Sequence, residues 1–419
     1  MEVAAYSTVA MTLSLVVARP RLGPELRISP AMAAFGGVAV MMLLGIVRPG
    51  HFERAAINLW SPFVAIAAIM VMTDVAHRVG LLDWWAARVE ARARTTRHLF
   101  GLVFALGVLT SATLNNDAAI LLLTPLVVSL VRRRYPDRPQ LLVVFAFAVF
   151  ISAGVAALPV SNPMNMVVAE FTGIDFNTYA LHMVPVAIAG WLIGFVILRR
   201  IFAAELAAAD AAEPARARAT TPPRATAAQR WMMALLAGVL LSYPIVGYFG
   251  GPVWAVASAG AVMALVLATR HGNDHPLRVA YEGVSWETLA FLMAVLILSM
   301  GLFEVGLVDR LTALYYGGDV GTVGATSAVG SALLNNHPMS HLNMMALESA
   351  GASDVNVLAA LVGGDLGPRL LPMGSLAGLL WLELLRRRGV EIRLRTFVKI
   401  GAAVTLPALV VCLAILALY

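Results

Sequence analysis

SATLNND at residues 111–117 and SALLNNH at residues 331–337 are two copies of one phrase, and their reading decides the fold. The offset is 220 residues throughout, and Ser111/Ser331, Ala112/Ala332, Leu114/Leu334, Asn115/Asn335 and Asn116/Asn336 are identical. Each copy lies inside an apolar stretch, where side-chain amides are costly unless something satisfies them. One paired-Asn site per half is what a chain built from internal repeats shows, with polar loops of both halves meeting near the midplane of a bilayer. The bland alternative is that these Asn cap or glue helices. Duplication of sequence and position together favours the first reading.

The surroundings point the same way. The 419 residues are 60% hydrophobic and 13% charged, with mean hydropathy +0.82. That is the composition of a polytopic membrane protein. The first apolar run, Val3–Ala18, has no basic region before it and no small-residue cleavage site, so it reads as a span and not as a signal peptide. Cys412 is the sole cysteine, which excludes a disulfide framework, a thiolate metal site and a CxxC redox pair. The net charge of +6 comes from arginines clustered in alternate loops. This is a topology signal and not a nucleic-acid footprint.

Outward from the two phrases, the chain predicts an all-α polytopic membrane protein. Its plan is an inverted repeat of five transmembrane helices plus one re-entrant hairpin per half, with two broken helices. The first repeat, 1–200, has spans at Val3–Ala18, Pro30–Val47, Trp60–Gly80, Gln140–Ala169 and Met183–Leu198, and a hairpin at 98–131. Residues 81–97, with Trp84 and Trp85, read as an interfacial amphipathic helix. A linker at 201–230, rich in Ala, Pro, Thr and Arg, divides the chain. The second repeat, 231–419, has spans at Trp231–Phe249, Val253–Thr269, Trp286–Leu307, Asp354–Leu385 and Thr396–Leu418, and a hairpin at 310–350. FEVGLVD (303–309) echoes RVGLLD (78–83). The breaks fall at ALPVSNPMNMVV (157–168) and GDLGPRLLPMG (364–374), where proline removes a donor and clashes with the preceding turn. The loops so assigned to the inside carry 24 basic residues, against 3 in the outer loops. That bias predicts both termini outside and the linker in the cytoplasm, and the localisation expected of the multi-pass chain is the inner membrane. Five spans per half then make the halves opposite in orientation.

Hairpin tips and helix breaks are where chemistry is expected. Broken helices present unpaired N–H and C=O groups, and Asn offers donors and acceptors together, which suits a small hydroxylated or anionic solute. Asn162 stands in the first break. Asp117 either accepts a coupling proton or N-caps the arm that begins at Ala118. Asp365 either joins it in coupling or pairs with Arg369. Asp74 and Arg78 have the spacing of an i,i+4 ion pair, and Glu304 is a weaker candidate. His337 takes the place of Asp117 in the repeat and reads as a polar or proton-handling tip. With His341 it forms HxxxH, but no third ligand or HExxH base lies nearby in sequence, so no metal site is expected. No cofactor is implied.

NNDAAILLLTP (115–125), NNHPM (335–339) and above all GGDLGPRLLPMGSLAGLLW (363–381) resemble the signatures of the bacterial arsenite/antimonite efflux permeases of the ion-transporter superfamily. The similarity runs over most of the chain in order and spacing. It implies a secondary transporter, not an enzyme, that exports trivalent arsenic or antimony hydroxides in exchange for protons. A cytoplasmic arsenical-stimulated ATPase is the partner such pumps suggest. By motif position, Asn115, Asn116, Asp117, Asn335, Asn336, Asp365, Gly374 and Ser375 would fall in the substrate and coupling region. His337 and His341 depart from the pattern, which leaves proton coupling open. The nearest alternative is an Na⁺/H⁺ antiporter of the same superfamily. A zinc-dependent intramembrane hydrolase is the alternative from another class.

Overall fold

The computed structural model describes residues 2–20, 27–211, 223–271 and 275–419. The first half runs through α1 (Glu2–Ala18), α2 (Pro30–Leu43), α3 (Pro49–Arg78), α4 (Leu81–Arg92), α5 (Thr96–Thr113), α6 (Asn116–Arg134), α7 (Gln140–Ser152), α8 (Pro163–Thr172), α9 (Phe176–Ile201) and α10 (Ala203–Ala211). The second half runs through α11 (Ala227–Tyr248), α12 (Val253–His271), α13 (Pro276–Gly283), α14 (Trp286–Glu304), α15 (Leu307–Tyr315), α16 (Val320–Leu334), α17 (Asn336–Ser349), α18 (Asp354–Leu366), α19 (Leu376–Arg387) and α20 (Leu394–Leu416).

Local chemistry fixes where these helices begin. Ser29 accepts from the Met32 amide, with Pro30 at the first helical position of α2. Thr95 and Asp319 cap α5 and α16, and Thr226 with Gln229 forms a capping box on α11. The RVGLLD and FEVGLVD echo has a backbone cause. Gly80 (φ 69°) and Gly306 (φ 79°) both take the left-handed conformation, turning the chain from a long helix into the short helices α4 and α15.

Among the described residues six helices, α3, α9, α11, α12, α14 and α20, are long and apolar enough to cross a membrane by length and composition. The helices α1 and α2 and the interrupted pairs α7/α8 and α18/α19 lie where the other four spans were expected. The two halves exchange partners: α2 packs on α14, α12 packs on α3, and α9 lies along α20. The breaks are built alike. LPVSNP (158–163) and LPMGSL (371–376) each form a 3-10 turn, at Pro159–Ser161 and Pro372–Gly374, followed by a capping residue, Asn162 or Ser375. The hairpin α16/α17 sits tightly on α18, since a Cβ on Gly363 or Gly367 would stand 2.3 Å from the carbonyl oxygen of Gly324 or Ala328.

Several expected boundaries move. Residues 49–60, expected outside, are the first turns of α3, because Pro49 starts a helix and the His51 ring accepts from the Arg48 amide. The second hairpin is narrower than 310–350. Its arms begin at Val320, and Leu307–Tyr315 forms the separate α15. Residues 276–283, expected as loop, form α13. Of the linker 201–230, Ala203–Ala211 is helical and α11 already begins at Ala227. Residues 212–222 lie outside the described residues, as do 21–26 and 272–274 of the expected inner loops.

Candidate functional site

The hairpin tips are fastened to the helix breaks by their asparagines. Asn115 caps α6, accepting from the Ala118 amide at 2.6 Å. Asn116 donates to the Gly154 carbonyl at 3.1 Å and accepts from the Ser111 hydroxyl. At the other tip Asn335 takes a left-handed backbone (φ 81°). It accepts from the His337 amide at 3.3 Å and donates to the Met373 carbonyl at 3.2 Å. Each tip is thus tied to the break of its own half, Gly154 in the first and Met373 in the second. Asn336 differs from its counterpart Asn116. Its Oδ1 and the Ser331 hydroxyl are both buried without a partner among the described residues.

Asp365, buried at the end of α18, is the centre of a network that crosses between the halves. It accepts from the Ala156 amide (2.8 Å), Asn162 (2.8 Å) and Asn165 (3.0 Å). Asn165 also donates to the Tyr179 hydroxyl at 2.7 Å, which donates on to the Ala156 carbonyl at 3.0 Å. Three donors are what a buried carboxylate requires. The expected Asp365–Arg369 pair is not made. Arg369 instead donates to the Ile151 and Ala153 carbonyls, each at 2.9 Å. Ile151 is in the last turn of α7 and Ala153 is the residue just past it, the negative end of a helix cut short, so the guanidinium serves as its C-terminal cap.

Asp117 does not cap α6, because Asn115 already does so. Among the described residues its carboxylate has no hydrogen-bond or ion-pair partner, and it lines two adjoining cavities. The smaller, of about 50 Å³, brings together Asn116, Asp117, Asn162, Asn336, His337, Asp365, Arg369 and Ser375 from both tips and both breaks. Such a volume accommodates a solute of only a few heavy atoms. The larger, of about 290 Å³, shares Asp117, Thr288, Leu376 and Ala377 with it and extends past Asn115 to Asp74 and His77. There Arg78 bonds Asp74 at 2.6 Å and Glu282 of α13 at 2.9 Å.

Of the expected site residues, Asn116, Asp117, Asn162, Asn336, His337, Asp365 and Ser375 line the small chamber and Asn115 the larger one. Asn335 and Gly374 shape the backbone beside them, and a Cβ on Gly374 would stand 2.6 Å from the Pro368 Cα. His341 is buried one turn beyond His337, and the Nδ1 atoms of both rings are without a partner among the described residues. Glu304 lies elsewhere, 3.4 Å from His51. Sequence reasoning missed Asn165, Tyr179 and Thr288. The spacing of Asn162 and Asn165 across one turn carried a signal for the first; the other two carried none.

A family model described as arsenical pump membrane protein matches residues 4–419. The arsenical pump membrane protein of Escherichia coli K12 is 31% identical over 426 residues, covering 97% of this chain and 96% of the relative. That of Yersinia enterocolitica is 30% identical over 430 residues, covering 99% and 98%. Among solved structures, the YdaH transporter of Alcanivorax borkumensis, reported to have an unusual topology, is similar with a TM-score of 0.59 at 17% identity. The match covers 100% of this chain and 97% of that one, and it bears on the fold alone.

Proposed function

Since the chain belongs to the arsenical pump membrane protein family, we propose that it exports arsenite and antimonite, as trivalent hydroxides, across the inner membrane in exchange for protons. The observation that carries this is the small chamber, where polar groups from both halves and two carboxylates converge. A trihydroxide that is mostly neutral at pH 7 donates and accepts through the same oxygens. Asn336 and Ser331 hold open acceptor and hydroxyl groups beside the chamber, and Asn116, Asn162 and Ser375 line it. Binding of this kind needs no thiol, and Cys412 is buried elsewhere, on the α9/α20 contact.

Exchange requires that proton and substrate exclude each other. Asp365 is satisfied by three donors, while Asp117 has none among the described residues and faces the chamber. Asp117 is therefore the carboxylate that trades a proton for substrate, and Asp365 organises the walls around it. His337, at the equivalent tip position, is the second proton-handling group. Residues 1–200 and 231–419 act as inverted repeats that rock about this chamber, exposing it alternately to each side. The arginine-rich ends of α6 and α19 face the cytoplasm with the linker, and both termini lie outside.

Uptake of radioactive arsenite into everted vesicles under an imposed proton gradient tests the proposal. Accumulation abolished by an uncoupler and indifferent to Na⁺ supports it. Arsenite transport that persists at the normal rate in Asp117→Asn eliminates Asp117 as the coupling group. Sodium-dependent proton movement without arsenite accumulation would reassign the chamber to a cation.

A further inference from the structure

A wide recess lies outside this chamber. It measures about 850 Å³ and opens between the end of α1, Arg27 ahead of α2, and α19. Among the described residues, five arginines, Arg19, Arg27, Arg386, Arg387 and Arg393, stand around it, against two carboxylates, Glu383 and Glu391. Glu383 is already engaged by Arg386 and Arg387. The Arg19 Nε is buried with no hydrogen-bond partner among the described residues, and a buried guanidinium donor without an acceptor is costly. The rim therefore presents donors in want of an anion.

Below the rim the recess is aliphatic. Leu121 of α6 and Leu379, Leu380 and Leu382 of α19 form its wall, and among the described residues no serine, threonine, asparagine or glutamine lines it. A path for a hydrophilic solute would carry such groups, as the central chamber does. Leu379 lies eight residues from Arg387, about 12 Å along the helix, close to half the ~30 Å hydrocarbon thickness of a bilayer. An anionic rim partner joined to an apolar body of that depth is the description of a phospholipid. Inorganic phosphate would gain nothing from the leucines.

We propose that this recess holds one anionic phospholipid, its phosphodiester against Arg19, Arg27 and Arg393 and an acyl chain along Leu121, Leu379 and Leu382. Leu121 and Leu380 also line the 290 Å³ cavity that adjoins Asp117. The acyl chain thus forms the outer side of a wall whose inner side faces the path to the chamber. The site does not depend on which metalloid is carried.

Native mass spectrometry of the full chain, purified in detergent and titrated in parallel with phosphatidylglycerol and phosphatidylcholine, tests it. One phosphatidylglycerol should be retained at least about tenfold more strongly than phosphatidylcholine. The double variant Arg27→Gln/Arg393→Gln should weaken its retention by about thirtyfold, from roughly 1 kcal/mol per arginine near an anionic headgroup. Leu379→Trp keeps every charge and fills the groove, and it should abolish retention while the melting temperature stays that of the unaltered protein. Equal retention of the two lipids, unchanged retention in either variant, or displacement by millimolar inorganic phosphate would each overturn the proposal.

Discussion

Replacing Asp365 by Asn removes a charge and almost no volume, and its cost can be worked from the three bonds. One carboxylate oxygen faces the Ala156 amide and Asn165, and the other faces Asn162. An amide at this position can offer its oxygen to only one side. If the oxygen serves Ala156 and Asn165, its NH₂ meets the NH₂ of Asn162. Asn162 cannot turn over without loss, because its own oxygen accepts from the Met164 amide at 3.2 Å and caps α8. Two bonds then fall from charge-assisted to neutral strength, about 1 kcal/mol each, and the third becomes a donor–donor contact costing about 1–3 kcal/mol beyond the bond itself. Relief from burying a charge offsets part of this, leaving a net loss of about 3 kcal/mol. Asp117→Asn breaks no bond among the described residues, so its effect on stability should stay within about 0.5 kcal/mol. The assay is thermal unfolding of the two variants in one detergent, followed by tryptophan fluorescence, beside arsenite transport in everted vesicles. Asp365→Asn should melt well below the unaltered protein. Asp117→Asn should melt with it and lose only transport. Equal melting of Asp365→Asn and the unaltered protein, or equal destabilisation by both substitutions, would refute the division of labour between the carboxylates.

Asn336→Ala removes a buried acceptor that has no partner among the described residues, so stability should hold or rise by about 1 kcal/mol while arsenite affinity falls about tenfold; a drop in melting temperature would show the amide to be structural. Hydrogen bonds from Arg278 and Arg78 hold the Glu282 carboxylate below its usual range. A depressed carboxylate contributes fully above its unfolded value and loses that contribution only as pH falls through the folded one. The Arg78–Glu282 contact between α3 and α13 should therefore persist from pH 5 to 8, and Glu282→Gln should leave the pH profile of transport in that range unchanged when measured in proteoliposomes.

The duplicated phrase made much of this legible. Hydropathy located the spans, prolines located both breaks, and the offset between the Asn pairs located both tips, because each is a local requirement of backbone in an apolar medium. Amphipathic segments were harder. Residues 49–60 and 307–315 carry charges that read as loop, yet they form helix at the ends of spans, where one face packs on protein. The roles within the site turned on three-dimensional facts. Asn115, the residue just before α6, caps it, while Asp117 two residues on is already inside the helix, and only the helix start shows it. Asp365 lies four residues from Arg369 in sequence, but its donors come from residues 156, 162 and 165 of the other half. No pattern within residues 354–385 encodes those partners.

The crossing of that network between the halves has a consequence for how the protein is made. Asn162 and Asn165 meet Asp365 across sequence separations of 203 and 200 residues. At roughly 5–20 residues per second of synthesis, the first broken helix leaves the ribosome about 10–40 seconds before its carboxylate partner exists. The α3 face that packs on α12 and the α2 face that packs on α14 wait for later helices as well. The newborn first half therefore stands in the membrane with polar break and packing surfaces unmatched, and its completion is timed by the ribosome's passage through the second.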